Sequence, residues 1–423
     1  MPHSANPDSG LVGHGFAQPF STKEPLSLLL YSHFFPPSIG GVETLVLLLA
    51  RGLAELRNSK GAPEFEITLV TQTAAGNYND LELPFHMIRQ PGLFQLWRLI
   101  RRSDVVHVAG PALAPLFLSM FERRPVVVEH HGYQAICPNG VLLHQPDGTV
   151  CPGHFQGGHY GECLRCIGRE TTWHFGLARL LVTFPRHWLS RRAAANVGVT
   201  QHALARHSLP HSTFIYHGID DLVAPPTNDL SAPPSANDVG KICFAYVGRL
   251  VPEKGIPVFL EAARLLKEEG HDFEIRLIGD GPEHANLEAI IARDHLNGYV
   301  HITGYLTGKA LVESLAEVRV VVAPSVWEET AGLVAIEQMM RGRLVIASAI
   351  GGLGEIVGNA GLTFPPGNAE ALAECMRKVF QDRSVIGTLG QEARDRALRF
   401  FRRERMIEDH ARLYKRLFQD AER

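Results

Sequence analysis

Short β-branched runs alternate with helical patterns twice along this chain, and a stretch rich in proline, serine and asparagine, Leu222 to Asp238, separates the two series. A parallel strand buried on both faces reads as a continuous apolar run, and strands that alternate with helices build a parallel sheet covered on both sides. The first series holds such runs at Leu26 to Tyr31, Glu66 to Val70, Val105 to Val108 and Pro125 to Val128. The second holds them at Ile242 to Val247, Phe273 to Ile278, Val300 to Ile302, Val318 to Ala323 and Leu344 to Ala347. The expected fold class is therefore α/β, with two units. Length agrees, because 423 residues exceed one ordinary core and an apolar share of 45% can fill two. The expected division is a tail at 1–24, a first domain at 25–221, a linker at 222–240, a second domain at 241–395 and a terminal segment at 396–423. In that last segment Met406, Ile407, Ala411, Leu413, Tyr414 and Leu417 recur at helical spacing.

Composition narrows the partners. The formal charge of −3, from 41 basic and 44 acidic residues, gives no basic excess for a phosphate backbone, so nucleic acid is not expected. No apolar run approaches a membrane span, and the tail before Pro25 is polar without a hydrophobic signal core, which predicts a cytoplasmic protein.

The residues that suggest chemistry lie at strand exits. Pro324 to Glu337 follows a buried strand and sets Glu329 in a loop, then Gly332, then Glu337 about one turn into a helix starting near Leu333. Free N–H groups at a helix start receive a phosphate, and a glycine there lets a ligand approach the main chain. The two carboxylates can then accept hydrogen bonds from sugar hydroxyls on one side of the phosphates and from a ribose on the other. A solvated carboxylate plus a helix-capping one is the bland alternative. Gly248-Arg249 and Lys254-Gly255 close the first strand of the second series, where a doubly wound sheet binds ligands. Arg249 can fork onto a phosphate and Lys254 can add a point charge, although a solvated loop would look the same. Gly279-Asp280-Gly281-Pro282 is a further glycine-rich exit and by itself reads as a tight turn. In the first series, Pro36 to Glu43 forms a glycine-containing loop that runs into a helix expected over Thr44 to Leu53.

In this order and spacing, Gly248-Arg249 with Lys254-Gly255, Gly279 to Pro282, and Glu329 with Gly332 and Glu337 resemble the donor-binding domain of retaining glycosyltransferase family 4. The Pro36 to Glu43 loop and Asp104-Val105-Val106-His107 resemble that family too, so the likeness spans nearly all the chain from Pro25 onward. The resemblance implies a GT-B architecture: two Rossmann-like domains facing a cleft, with the last helix crossing back onto the N-terminal one. It implies a nucleotide-diphosphate-sugar as donor, a glycan or lipid-linked acceptor hydroxyl, and retention of anomeric configuration without a catalytic divalent cation. By the same resemblance Arg249 and Lys254 hold the diphosphate and Glu337 the ribose. Glu329 takes the hydroxyls of the transferred sugar, Gly332 and Leu333 lie at the helix start under the donor, and Gly40 and Gly41 approach from the opposing domain. The family's catalytic histidine maps onto Glu129-His130-His131-Gly132, with His131 the better match and His130 the alternative. Departures are Ala331 where an aromatic residue is usual, Leu344 where proline is usual, and Tyr216-His217-Gly218 in place of Pro-Asn-Gly. A nucleotide-sugar epimerase or phosphorylase on the same plan, or a non-catalytic nucleotide-sugar scaffold, are the alternatives to transfer.

Four of the six cysteines, Cys137, Cys151, Cys163 and Cys166, cluster in one short polar segment. The Cys163 to Cys166 pair has zinc-knuckle spacing, and four thiolates would close a structural Zn²⁺ site in a segment with little apolar mass of its own. The long gaps on either side of Cys151 are not standard finger spacings, so an iron–sulfur cluster, disulfides or free thiols stay open, with His154 and His159 as substitute ligands. Some members of the family resemble this chain in carrying a cysteine-rich insertion here. From Trp173 to Arg192, aromatic and basic residues interleave. Such a stretch can lie on an anionic membrane at the inner face, or pack on the core as an acceptor-side helix, the reading favoured by sequence.

Overall fold

The computed structural model describes residues 25–38, 40–168, 172–221 and 241–423; the segments expected as tail and linker lie outside them. Nine strands precede the linker: β1 (Leu26–Ser32), β2 (Phe65–Thr71), β3 (His86–Arg89), β4 (Val105–Ala109), β5 (Val126–His130), β6 (Leu143–His144), β7 (Thr149–Val150), β8 (Ala195–Gly198) and β9 (Ser212–Phe214). Seven form one parallel sheet in the order β3-β2-β1-β4-β5-β8-β9, while β6 and β7 pair antiparallel inside the cysteine-rich segment. After the linker come β10 (Ile242–Val247), β11 (Phe273–Ile278), β12 (Val300–Gly304), β13 (Val320–Ala323), β14 (Leu344–Ser348) and β15 (Leu362–Phe364), a second parallel sheet ordered β12-β11-β10-β13-β14-β15. The order reverses between β1 and β4 in one sheet and between β10 and β13 in the other. Those reversals open the crevices where open α/β sheets take ligands.

Every apolar run read from the sequence falls on one of these strands, with Pro125 just ahead of β5 and Val318 and Arg319 just ahead of β13, and the central strands are buried from both sides. Leu28, Leu29 and Leu30 are at most 1% exposed, as are Val320, Val321 and Val322. Leu28 and Leu30 face a core shared with the helix Gly41–Glu55, whereas Leu29 and Tyr31 face the opposite layer with Leu96, Ile100 and Leu116. The strand pleat turns alternate residues to opposite faces, and both faces are covered.

The terminal helix Arg403–Glu422 returns to the first sheet. Met406, Ile407, Ala411, Leu413, Tyr414, Leu417 and Phe418 are buried in the same core as Leu26, Leu28 and Leu30. Its approach is close enough that a Cβ on Gly52 would stand 1.9 Å from the Ile407 Cδ1. No helix among the described residues is long and apolar enough to cross a membrane.

Candidate active site

The exits of β10 and β13 meet at the second sheet's crevice. Gly255 has a left-handed backbone (φ +65°), and a Cβ there would stand 2.1 Å from the Pro324 carbonyl oxygen, so glycine is what lets the two exit loops touch. The Val326 N–H donates to the Glu253 carbonyl at 3.0 Å, fixing their register. Across this seam Lys254 Nζ reaches Glu329 Oε1 at 2.8 Å, and the Ser325 hydroxyl bonds to the same carboxylate. The Lys254 and Glu329 side chains are 22% and 11% exposed. Arg249 is exposed and makes no ion pair among the described residues. The β11 exit lies alongside, with a Cβ on Gly279 blocked at 1.8 Å by the Gly248 carbonyl.

The helix Leu333–Met340 begins where the sequence places it, capped at Gly332, and carries Glu337 in its second turn. Burial pushes the Glu337 carboxyl above its ordinary range, and the Arg341 guanidinium draws it partly back. A Cβ on Gly332 would stand 2.6 Å from Leu353, so the loop packs hard against the next helix. A Cβ on Gly41 would meet Leu333 Cδ2 at 3.2 Å. The structure thus brings Gly41 of the first domain onto the start of the helix Leu333–Met340, with Gly40 as the cap residue of its own helix.

His131 stands on the opposing rim, joined to the Glu329 loop through its backbone: the Thr330 hydroxyl donates to the His131 carbonyl at 2.9 Å. Its ring is engaged on both sides, with Nε2 3.3 Å from Glu129 Oε2 and Nδ1 3.2 Å from His217 Nε2. His130 points elsewhere and bonds through Nε2 to Asn196 Oδ1 at 2.9 Å in the core. Of the two candidates, His131 is the one on the interdomain rim.

Glu129, which sequence reasoning assigned no role, is the hub beneath it. His107 Nε2 lies 3.2 Å from Oε2, and His410 Nε2, from the terminal helix, lies 3.6 Å from Oε1. Burial pushes the Glu129 carboxyl up, but the surrounding histidines outweigh it and hold it well below the ordinary range. His410 bonds through Nδ1 to the Met406 carbonyl at 2.8 Å, so that nitrogen carries a proton. Its Nε2 facing a carboxylate then makes sense as a second N–H, and His410 titrates above its ordinary value: burial lowers it, while Glu129 more than offsets that. His107 can stay neutral, since its Nδ1 has the Tyr414 hydroxyl at 2.9 Å. Two triads here, His107–Glu129–His410 and Glu129–His131–His217, each bring their ligand atoms within 4.8 Å of one another, a spacing that could also hold a cation.

The four clustered cysteines are all buried. No three of their sulfurs lie mutually within 4.8 Å. They are nonetheless gathered: the Asn139 side chain joins the Cys137 sulfur (2.8 Å) to that of Cys166 (3.4 Å), and the Gln145 N–H points at Cys166 Sγ at 3.3 Å. Cys151 Sγ faces His154 Nδ1 at 3.7 Å. This segment touches the second domain directly. Cys137 and Cys151 share a core with Tyr133 and Leu142 against which Trp327 packs, and Arg206 bonds both to the Cys151 carbonyl (2.7 Å) and to Glu328 (2.7 Å).

Likeness to known proteins agrees with this geometry. Solved structures with the same fold include HepE of Anabaena in complex with UDP and glucose, at a TM-score of 0.67 over 92% of this chain and 99% of that one, with 18% identity. Sucrose-phosphate synthase of Thermosynechococcus elongatus aligns at 0.68 over 93% and 100%, with 20% identity. The fold is GT-B. Within it, residues 229–396 match the family described as glycosyl transferases group 1. Similar proteins include the alpha-D-kanosaminyltransferase of Streptomyces kanamyceticus, 30% identical over 35% of this chain and 39% of that protein. The 2-deoxystreptamine glucosyltransferase of the same organism is 30% identical over 49% and 56%. The chain thus spans about half, or less, of the length of these relatives.

Proposed function

We propose that the protein is a retaining glycosyltransferase, moving a sugar from a nucleotide-diphosphate-sugar to an acceptor hydroxyl in glycan or glycolipid synthesis. The observation that carries this reading is the Lys254–Glu329 pair at the β10/β13 crevice, with the exposed Arg249 beside it and Glu337 set back in the adjoining helix. A diphosphate between Arg249 and Lys254 draws the ammonium toward it and frees Glu329 to accept hydrogen bonds from the sugar hydroxyls. Glu337 receives the ribose. As the acceptor oxygen bonds to the anomeric carbon, the bond from that carbon to the phosphate oxygen breaks. The leaving phosphate, held by Arg249, Lys254 and the helix start at Leu333, takes the acceptor proton on the same face. The cations on the protein do the work a divalent ion would do, so added Mg²⁺ or Mn²⁺ should leave turnover unchanged.

The test is donor consumption and product anomeric configuration with a panel of nucleotide-sugars. Arg249→Ala and Lys254→Ala should each lower kcat/KM by the equivalent of about 2.7 to 4 kcal/mol while the fold persists. Wild-type turnover in either variant would remove the assignment.

The cysteine segment has a structural role in the same proposal, with Cys137, Cys151, Cys163 and Cys166 holding one Zn²⁺. Burial and the Gln145 N–H aimed at sulfur support that donor set, and bound zinc would draw the four sulfurs closer and supply a rigid crosslink for an apolar-poor segment. Through Trp327 and Arg206 the crosslink would steady the loop carrying Glu328 and Glu329. Elemental analysis of untagged protein should find about one equivalent of zinc, and Cys163→Ser should lower zinc content, melting temperature and activity together. Metal-free protein with four titratable thiols and full activity would refute it.

A further inference from the structure

Three helices on one side of the first domain turn apolar residues outward as well as inward. Inward, Leu96 and Ile100 of Leu93–Arg102, Leu116 of Leu113–Phe121 and Leu189 of Trp173–Ser190 share one core beneath β1, β4 and β5. That is the core-packed helix expected from sequence, and packing accounts for only one stripe of it. On the solvent side of the longest helix, Trp173, Leu177, Leu181, Phe184 and Trp188 recur every three or four residues, a second stripe at helical spacing. All five are exposed, Trp173 at 77% and Leu181 at 57%. The neighbouring helices add Leu93 and Phe94 on one, and Phe117 and Phe121 on the other, with Phe121 73% exposed. A soluble surface rarely groups so many large apolar side chains without a partner.

Charge names the partner. None of the three helices contains an aspartate or glutamate. Around the apolar residues stand Arg98, Arg101, Arg102 and Arg179, all exposed, and Arg191 and Arg192 follow at the end of the long helix. The Arg98 guanidinium lies 4.6 Å from the Phe94 ring centroid and that of Arg192 lies 3.7 Å from Trp188, so cations and aromatic faces sit at the same level. Glu122, the nearest acid in sequence, is half-buried and held by the Trp97 indole N–H. Three of the chain's four tryptophans, Trp97, Trp173 and Trp188, belong to these helices. Aromatic residues with arginines and without acids match the interface of an anionic bilayer, where rings lodge at the headgroup level and each cation gains from the surface potential. A second copy of the chain would bring like charges face to face.

We propose that this three-helix face docks the protein on an anionic membrane surface, without a helix crossing it. The proposal rests on the surface alone and stands apart from the donor chemistry. It is tested on the full-length protein by flotation with vesicles of phosphatidylcholine alone and of phosphatidylcholine with phosphatidylglycerol. The expected result is at least about tenfold tighter binding to the anionic vesicles, weakening as salt is raised, with tryptophan emission shifting to the blue. The double variant Phe121→Glu, Leu181→Glu should lose about tenfold or more of that binding. Both positions are exposed, so its melting temperature and its donor-induced thermal shift should stay those of the wild type. Equal binding to both vesicle types, or anionic binding unchanged in the double variant, would overturn the proposal. So would a concentration-dependent dimer that the same double variant abolishes, since the face would then belong to a second copy.

Discussion

A carboxylate buried among histidines is stable only when the rings divide their protons unequally. Glu129 stays ionised, His410 carries the compensating charge, and burial favours the neutral ring at His107 and His217. His217 is lowered to about 3, by burial and then by His131, and His207 to about 4, chiefly by burial. Unfolded, both return to an ordinary value of 6.5 and take up protons that the folded chain refuses. Stability should therefore fall as pH drops below 6.5, by about 1.4 kcal/mol per unit for each such histidine. His410 acts in the opposite sense: its contribution is complete below 6.5 and is lost as pH rises through its raised value. Glu129 contributes above 4.5 and loses its share only as pH falls through its lowered value. Urea unfolding across this range should show greatest stability near pH 6.5, with a shallower acid limb in His217→Gln. A stability flat from neutrality down to about pH 5 would contradict the buried neutral rings.

Between the two domains, single elements hold each other in place. The short helix Gln201–His207 is capped from its own chain by Thr200, whose side chain accepts from the Ala203 N–H, and from the other domain by Glu355. The Gln201 and His202 N–H groups donate to the two Glu355 oxygens at 2.9 and 2.8 Å, and the Tyr216 hydroxyl donates to the first at 2.6 Å. A carboxylate at a helix N-terminus meets both free donors and the positive end of the helix dipole. Glu355→Ala should cost about 1 to 2 kcal/mol, read as a lower urea midpoint with faster proteolysis near the linker. Sequence revealed what depends on local pattern: the buried strands, the helix at Leu333–Met340, and the glycines at strand exits. It missed β3 and β9, the sheet's edges, and the short β8, whose residues Ala195–Gly198 carry one β-branched side chain. The Glu355 cap and the Glu129 hub were also invisible. Their partners lie far off along the chain, that of Glu129 as far as His410 in the terminal helix, and no local periodicity records such a separation.

At the scale of the whole molecule, the first domain does not end where its sheet ends. The chain leaves β9 at Phe214, forms the second sheet, and returns through a junction at which the Ile219 N–H donates to the Phe401 carbonyl and the Arg403 N–H to that of Ile219, both at 2.9 Å. The terminal helix then packs against the helix Gly41–Glu55 and over β4. Ile407 seats on Gly52, Tyr414 is fully buried against Phe65 and reaches His107, and Lys415 pairs with Glu64 at 2.7 Å. Burying one large apolar side chain contributes roughly 1.5 to 3 kcal/mol, and this helix buries several in the first domain's core. Their sum rivals the whole stability of an ordinary domain. Residues 25–221 expressed alone should therefore be unfolded or molten, with Glu129 deprived of its His410 counter-charge. Adding the segment 401–423 as a separate peptide should restore a cooperative unfolding transition, and Tyr414→Ala in that peptide should weaken the rescue. The measurement is thermal unfolding by near-ultraviolet circular dichroism. A cooperative transition in 25–221 without the peptide would show that the returning helix is an ornament on a self-sufficient core, whereas peptide-dependent folding makes the chain's last turn part of its first domain.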